Sequence, residues 1–260
     1  MSLCHSEVRL QRSNLSFAGR IQRRLQQFLL IREIRIAVGL LRYVVFRHLI
    51  RSNRVYEASD QSHLGKDTFS HNYRQILHSL LTHDRVHHLL HPVVAIEEVA
   101  TNLPTLKTLS IGPRSEGELL LIAGYGFSWP NIRAVDLFSY SPRIDVADMH
   151  DLPYADNSFD IIFNGWCLAY SDDQETALKE MVRVLRPGGF IALGQGYDNR
   201  DEEQRRDLGY VGGKNRKNTI EAVFEPISQH VGKIYFRHDI DAAMAAKGQR
   251  AMIAVISIQK

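Results

Sequence analysis

From Leu106 onward the chain alternates short apolar runs with helical patterns, and no other feature constrains its fold as strongly. An apolar run, an amphipathic helix and another apolar run form a βαβ unit, because parallel strands need a crossover to connect them. LKTLSI, ending at Ile111, reads as the first strand, with a turn from Gly112 to Gly117 and a helix that includes Glu118 to Ala123. IRAVDL reads as the second strand, with Asp136 at its carboxyl end, and RIDVADM as a short third. SFDIIFNG, residues 158–165, is the fourth. DDQETALKEMVRVLR, residues 172–186, predicts a helix with acids in its first turn and arginines in its last, as the helix dipole favours. Pro187-Gly188-Gly189 predicts a turn into a fifth strand, FIALGQG. NTIEAVFEPISQHV then reads as a helix, and GKIYFRHDI and AMIAVISIQ as two strands close enough in sequence to pair antiparallel.

The expected fold is therefore α/β: a Rossmann-like, doubly wound, seven-stranded and mostly parallel sheet with an antiparallel last strand, preceded by a helical N-terminal extension. Residues 105–260 form the main domain, 1–56 an arginine-rich helical extension and 57–104 a histidine-rich helical connector or lid. Cys4 and Cys167 are the only cysteines, which leaves no disulfide framework and no paired-cysteine zinc site, so a reducing, cytoplasmic setting is expected.

The extension is charged out of proportion to the chain. Residues 1–56 hold eleven Arg, no Lys and two Glu, a net of +9, which leaves −6 for the remaining residues of a chain whose formal charge is +3. Residues 20–54 run without proline and predict one long helix or two. Arg32, Glu33, Arg35, Arg42 and Arg47 interrupt every apolar window long enough to span a bilayer. Three readings fit: an apolar face packed on the main domain or a second subunit with solvated arginines, a basic helix lying on an anionic membrane surface, or nucleic-acid binding. The last has no recognisable module behind it and is not favoured. A homo-oligomer is compatible with the first.

The connector holds seven of the twelve histidines. His83, His87 and His91 fall on one helical face, but without HExxH and without a spaced carboxylate no metal site is predicted. Pro92 is expected to start a new helical segment, Val93 to Thr101.

In a doubly wound sheet, ligands collect at the carboxyl ends of the strands, where the strand order reverses. A glycine turn after the first strand lets backbone N–H groups come close to a ligand, and an acid ending the second suits ribose hydroxyls. Gly112, Gly117 and Asp136 occupy those places.

The run VADMHDLPYADNSFDIIFNGWCLAYSDDQETALKEMVRVLRPGGFIAL, residues 146–193, resembles the class I S-adenosylmethionine-dependent methyltransferases of the small-molecule, type 11-like kind. Their pattern D-A-x-x-L-P-F-x-x-x-S-F-D is matched at Asp148, Leu152, Pro153, Tyr154, Ser158, Phe159 and Asp160. Their E-x-x-R-V-L-K-P-G-G is matched from Glu180 and Arg183 to Gly189. The resemblance covers about Leu106 to Lys260. It implies S-adenosylmethionine as cofactor and S-adenosylhomocysteine as product. It also implies that Gly112 and its turn approach the methionine part, that Asp136 binds the ribose, that Asp148 accepts from the adenine amino group with Met149 beside the ring, and that Asn164, Gly165 and Trp166 line the transfer face.

Two departures stand out. The family's D-x-G-x-G-x-G is here Ser110-Ile111-Gly112-Pro113-Arg114-Ser115-Glu116-Gly117-Glu118, so the acid that closes the first strand is missing. Glu116 or Glu118 is a candidate to replace it at the cofactor's ammonium, and Arg114 a candidate for its carboxylate. The gap from Asp136 to Asp148 is also too short for the usual helix, so a loop, FSYSPRID, is expected there, leaving one adenine wall open or covered by the front end. Candidate bases are His150, Tyr197 and Asp198, with His238 behind them. The expected activity is methyl transfer to a hydroxyl, amine or carboxylate of a small or medium-sized acceptor, lipid- or glycan-linked if the extension touches membrane. A noncatalytic methyltransferase-like scaffold is the alternative, and a nicotinamide-dependent oxidoreductase, lacking GxGxxG, comes third.

Overall fold

The computed structural model describes residues 17–56, 76, 78–81, 85–200, 203 and 217–260. Its centre is a seven-stranded sheet built from β2 (Thr108–Ile111), β3 (Ile132–Asp136), β5 (Ile144–Val146), β6 (Phe159–Gly165), β7 (Leu185–Gly196), β8 (Val231–His238) and β9 (Ala251–Ile258). The order is β5-β3-β2-β6-β7-β9-β8, parallel from β5 to β7, with β9 antiparallel to both of its neighbours. Order reverses at β2, so the cleft between the carboxyl ends of β2 and β6 is where a ligand belongs. β2 and β6 are buried on both faces, which explains their unbroken apolar runs.

Helix α6 (Gln174–Val184) and the short α7 (Ile220–Phe224) cover one face of the sheet through Leu178, Met181, Val223 and Phe224. Helices α3 (His87–Val94), α4 (Glu97–Asn102) and α5 (Glu116–Gly124) cover the other through Leu89, Val93, Val99, Leu119 and Ile122. A third, smaller cluster joins Tyr43 and Leu80 to Phe138 and Tyr140.

The front end is two helices, α1 (Phe17–Phe28) and α2 (Arg32–Val44), with a last π-helical turn, Val45–Leu49. They lie across α5: Gln26 donates to the Phe127 carbonyl at 3.0 Å, and Gly39 sits against Leu80 and Leu120. Leu119 to Ala123 are all buried, because α5 is sandwiched between the sheet and these helices. Beyond them β1 (Arg54–Val55) pairs antiparallel with β4 (Phe138–Ser139). The front end thus pairs with the loop that stands where a helix was expected to be absent.

Three local expectations need correction. Pro92 does not start a segment but lies inside α3, where the burial of Leu89, Leu90 and Val93 outweighs one missing backbone bond. Pro187-Gly188-Gly189 is no separate turn: β7 begins at Leu185, which pairs with Phe159, and the register shifts before Ile161 meets Phe190, so the three residues form an irregularity within the strand. The predicted helix over residues 218–231 is α-helical only to Phe224 and continues as a 3₁₀ turn, Glu225–His230.

The solvated arginines of the first reading are found only in part in α2 and the turn after it. Arg35 is 4% exposed and donates to the Leu29 carbonyl at 2.6 Å, and Arg32 donates to that of Leu81 at 2.9 Å. Arg42 forms a two-pronged pair with the fully buried Glu116 and stacks over Trp129, while Arg47 lies over Tyr43. Arg35, Arg42 and Arg47 turn inward because each finds a carbonyl, a carboxylate or an aromatic face there, whereas Arg32 stays exposed.

Candidate active site

A cavity opens at the switch point, lined by the ends of β2, β3 and β6 and by the segment around Ser79 and Arg85. Of the residues singled out in the sequence, Gly112, Pro113, Arg114, Asp136, Asp148, Met149, Gly165 and Trp166 line it. Gly112 has a φ of +70°, and a Cβ there would stand 2.7 Å from that of Cys167, so no side chain fits at this end of β2. Asp136, at the carboxyl end of β3, accepts from the Arg114 backbone N–H at 2.9 Å, and burial pushes its carboxyl up.

Asp148 is 2% exposed and is held by His150. It accepts from the backbone N–H of His150 at 3.0 Å and meets the His150 Nδ1 at 2.5 Å, and the other ring nitrogen of His150 reaches the Ser171 hydroxyl at 2.6 Å. The loop after Asp148 is clamped by α6. Glu180 accepts from the Leu152 N–H at 2.8 Å, while Arg183 donates to the carbonyls of Leu152 and Tyr154 at 2.9 and 2.8 Å. Motif positions on α6 thus fix where Asp148 and Met149 sit. Trp166, at a φ of +63°, lays its ring 2.8 Å from where a Cβ of Gly194 would be, so β7 needs glycine at that point.

The rewritten glycine turn resolves into two glutamates with different surroundings. Glu118 lines the cavity and its carboxylate comes back over the end of β2, where it accepts from the Ser110 hydroxyl at 2.5 Å. Its side chain therefore stands beside the position from which the strand-ending acid is missing. Burial raises its carboxyl from an ordinary 4.5 to about 7, against the pull of Ser110, Arg85 and Arg114. Glu116 points away from the cavity: it pairs with Arg42 and accepts from the Ser141 hydroxyl, and its N–H donates to the Tyr140 hydroxyl at 2.9 Å.

The other singled-out residues do not line this wall. Gly117 packs under Leu80. Asn164 is fully buried and shapes the turn after β6, accepting from the Cys167 thiol at 3.0 Å and the Leu168 N–H at 3.3 Å. His150 stands behind Asp148 with both ring nitrogens engaged. Tyr197 packs against the core on the α6 side, and Asp198 pairs with Arg200 at 2.7 and 2.9 Å. Among the described residues lining the cavity there is no histidine or lysine. His87 and His91 approach each other at 2.6 Å under the Tyr125 hydroxyl, outside the cavity, and His83 lies outside the described residues.

Arg85, Ser79, Cys167 and Tyr170 also line the cavity and had not been singled out in these roles. Arg85 and Ser79 come from the connector, whose spacing from the motifs carries no signal. Cys167 and Tyr170 lie just past the three residues after the fourth strand that the family pattern marks.

Residues 129–193 match the family model described as a methyltransferase domain. A stretch of 50 residues is 44% identical to a malonyl-[acyl-carrier protein] O-methyltransferase of Halorhodospira halophila, covering 19% of this chain and 17% of that one. Another of 57 residues is 44% identical to a ubiquinone/menaquinone biosynthesis C-methyltransferase of Geotalea daltonii, covering 21% and 24%. The matched stretches thus span less than a quarter of these relatives' length. Among solved structures, the fold is shared by a methyltransferase in complex with the Haloferax volcanii Trm112 activator, with a TM-score of 0.51, 18% identity and coverage of 72% of this chain and 96% of the other. The matched segment, the strand order and the site position agree with a class I, S-adenosylmethionine-dependent type of methyltransferase domain.

Proposed function

We propose that this protein is an S-adenosylmethionine-dependent methyltransferase whose cofactor occupies the cavity at the ends of β2 and β3. One observation carries the reading: three acids from three elements, Glu118, Asp136 and Asp148, line one cavity beside a glycine that admits no side chain. That donor set suits a ligand with an ammonium group, a ribose and an adenine. Bound there, the cofactor supplies an activated methyl group on a sulfonium.

Asp136 accepts from the ribose hydroxyls and Asp148 from the adenine amino group, with Met149 against the ring. Glu118 takes the ammonium in place of the missing acid, with Ser110 fixing its carboxylate, and Arg114 binds the cofactor's carboxylate. Gly112 leaves room for close approach. His150 is a positioning residue that holds Asp148, rather than a base. Trp166 and Tyr170 face the acceptor.

The acceptor is read from the described residues of the wall, which include no histidine or lysine. With His150, Tyr197 and Asp198 off the cavity, alignment of acceptor and methyl donor does the work, and proton removal by the protein contributes little. The acceptor atom is then one that attacks without a strong base: a carboxylate oxygen, an amine or an acidic hydroxyl of a small or medium-sized molecule. Among the relatives, the O-methyltransferase fits an oxygen acceptor, whereas the C-methyltransferase acts on carbon.

Calorimetric titration with S-adenosylmethionine tests this. Micromolar binding is expected, and Asp136→Ala should weaken it by about 1–3 kcal/mol, the cost of unpaired ribose hydroxyls. Folded protein that binds neither cofactor nor product would contradict the reading and leave a noncatalytic scaffold.

A further inference from the structure

We infer that the outer face of α1 and α2 docks on an anionic membrane surface. The inward turn of Arg35 and Arg42 leaves apolar side chains on the sector of α2 facing away from the domain: it holds Ala37, Leu41 and Val44, flanked by half-buried Ile34 and Val38, with Glu33 and His48 as its polar members. Leu41 is 65% exposed, and Leu49, on the turn that ends the helix, 73%. α1 adds a second stripe, Ile21, Leu25 and Phe28, on the side away from Gln26. Ten of the thirteen exposed large apolar side chains among the described residues lie between Ile21 and Val55. A concentration of that kind marks an interaction surface, whereas scattered exposed apolar residues do not.

Charge selects the occupant. Arg24, beside the α1 stripe, and Arg51, after the turn that ends α2, are exposed, and Glu33 is the lone acid from Phe17 to Tyr56. Apolar side chains that enter an acyl boundary, ringed by arginines that meet lipid phosphate, are what an interfacial helix presents. No helix among the described residues is long and apolar enough to cross a membrane, so the contact is with its surface. The cavity lies just behind this face: Gly39, on the inner side of α2, touches Leu80, and the neighbouring Ser79 lines the cavity.

Flotation of the full chain with vesicles tests the inference. Binding is expected to phosphatidylcholine vesicles containing about 30% phosphatidylglycerol, to fall with salt, and to be absent with phosphatidylcholine alone. Leu25→Glu/Leu41→Glu and, independently, Arg24→Gln/Arg51→Gln should each weaken binding by about tenfold or more. Phe236→Ser, on edge strand β8, should leave it unchanged. Circular dichroism confirms that each variant is folded, and the arginine pair decides should the leucine pair fail to fold. Absence of binding to anionic vesicles, or binding indifferent to both pairs, overturns the inference. So does a lipid-free dimer, seen by light scattering, that Leu41→Glu dissociates, since a second copy would then cover the face.

Discussion

Helices α2 and α6 are both amphipathic and both carry arginine, yet they sit on the molecule in opposite senses. In α6 the apolar stripe of Ala177, Leu178 and Met181 is buried and the exposed side holds Lys179 and Glu175, paired at 2.6 Å. In α2 the buried residues are Arg35, Gly39 and Tyr43, and Leu41 and Val44 face outward. The difference teaches that periodicity reports two faces without saying which is inside. An arginine that meets a buried carboxylate can decide that choice, because a buried charge must be paired.

The largest effect expected from that contrast is in the leucines. Leu178→Ala should cost about 2–5 kcal/mol in urea unfolding, whereas Leu41→Ala should stay within about 0.5 kcal/mol. Equal losses would mean that α2 is not inside out. Next comes Arg42→Ala, which strands the fully buried Glu116 without its cation and should cost about 3 kcal/mol.

The neighbouring Glu118 should behave in the reverse way. Its carboxyl titrates near 7 folded against an ordinary 4.5 unfolded, so the folded chain holds the extra proton between those values. Stability of the ligand-free protein should therefore decline as pH rises through that window, by roughly 3 kcal/mol in total from this group. Glu118→Gln should remove that decline and be the more stable form at pH 8, as read by denaturant midpoints across pH. The smallest effect belongs to the exposed α6 pair: Lys179→Ala should cost no more than about 0.5 kcal/mol, and salt should erase it.

The two halves also differ in how far the sequence discloses them. In the domain, apolar runs alternating with helices lead to the first five strands, and the short connection between the last two leads to their antiparallel pairing. Asp136 and Asp148 could be placed beside the cavity since they end strands or follow a recognisable run. The choice between Glu116 and Glu118 could not be made. Both lie in the first turn of α5, and what separates them is Arg42, seventy-four positions away, which takes Glu116. The same distance hid the orientation of α2. One clue was present: Leu119 to Ala123 has no polar side, so something had to cover the outside of α5. Pro92 and the Pro187-Gly188-Gly189 run misled because local breaking tendency yielded to burial and strand pairing.

The most direct test is calorimetric titration of S-adenosylhomocysteine into wild-type protein and Glu118→Gln at pH 6 and pH 8. If Glu118 stands in for the missing strand-ending acid, wild type should bind more tightly at pH 8, where that carboxyl is ionised, and Glu118→Gln should bind more weakly at pH 8 and with little pH dependence. Equal affinity of the two proteins at pH 8 would contradict the account.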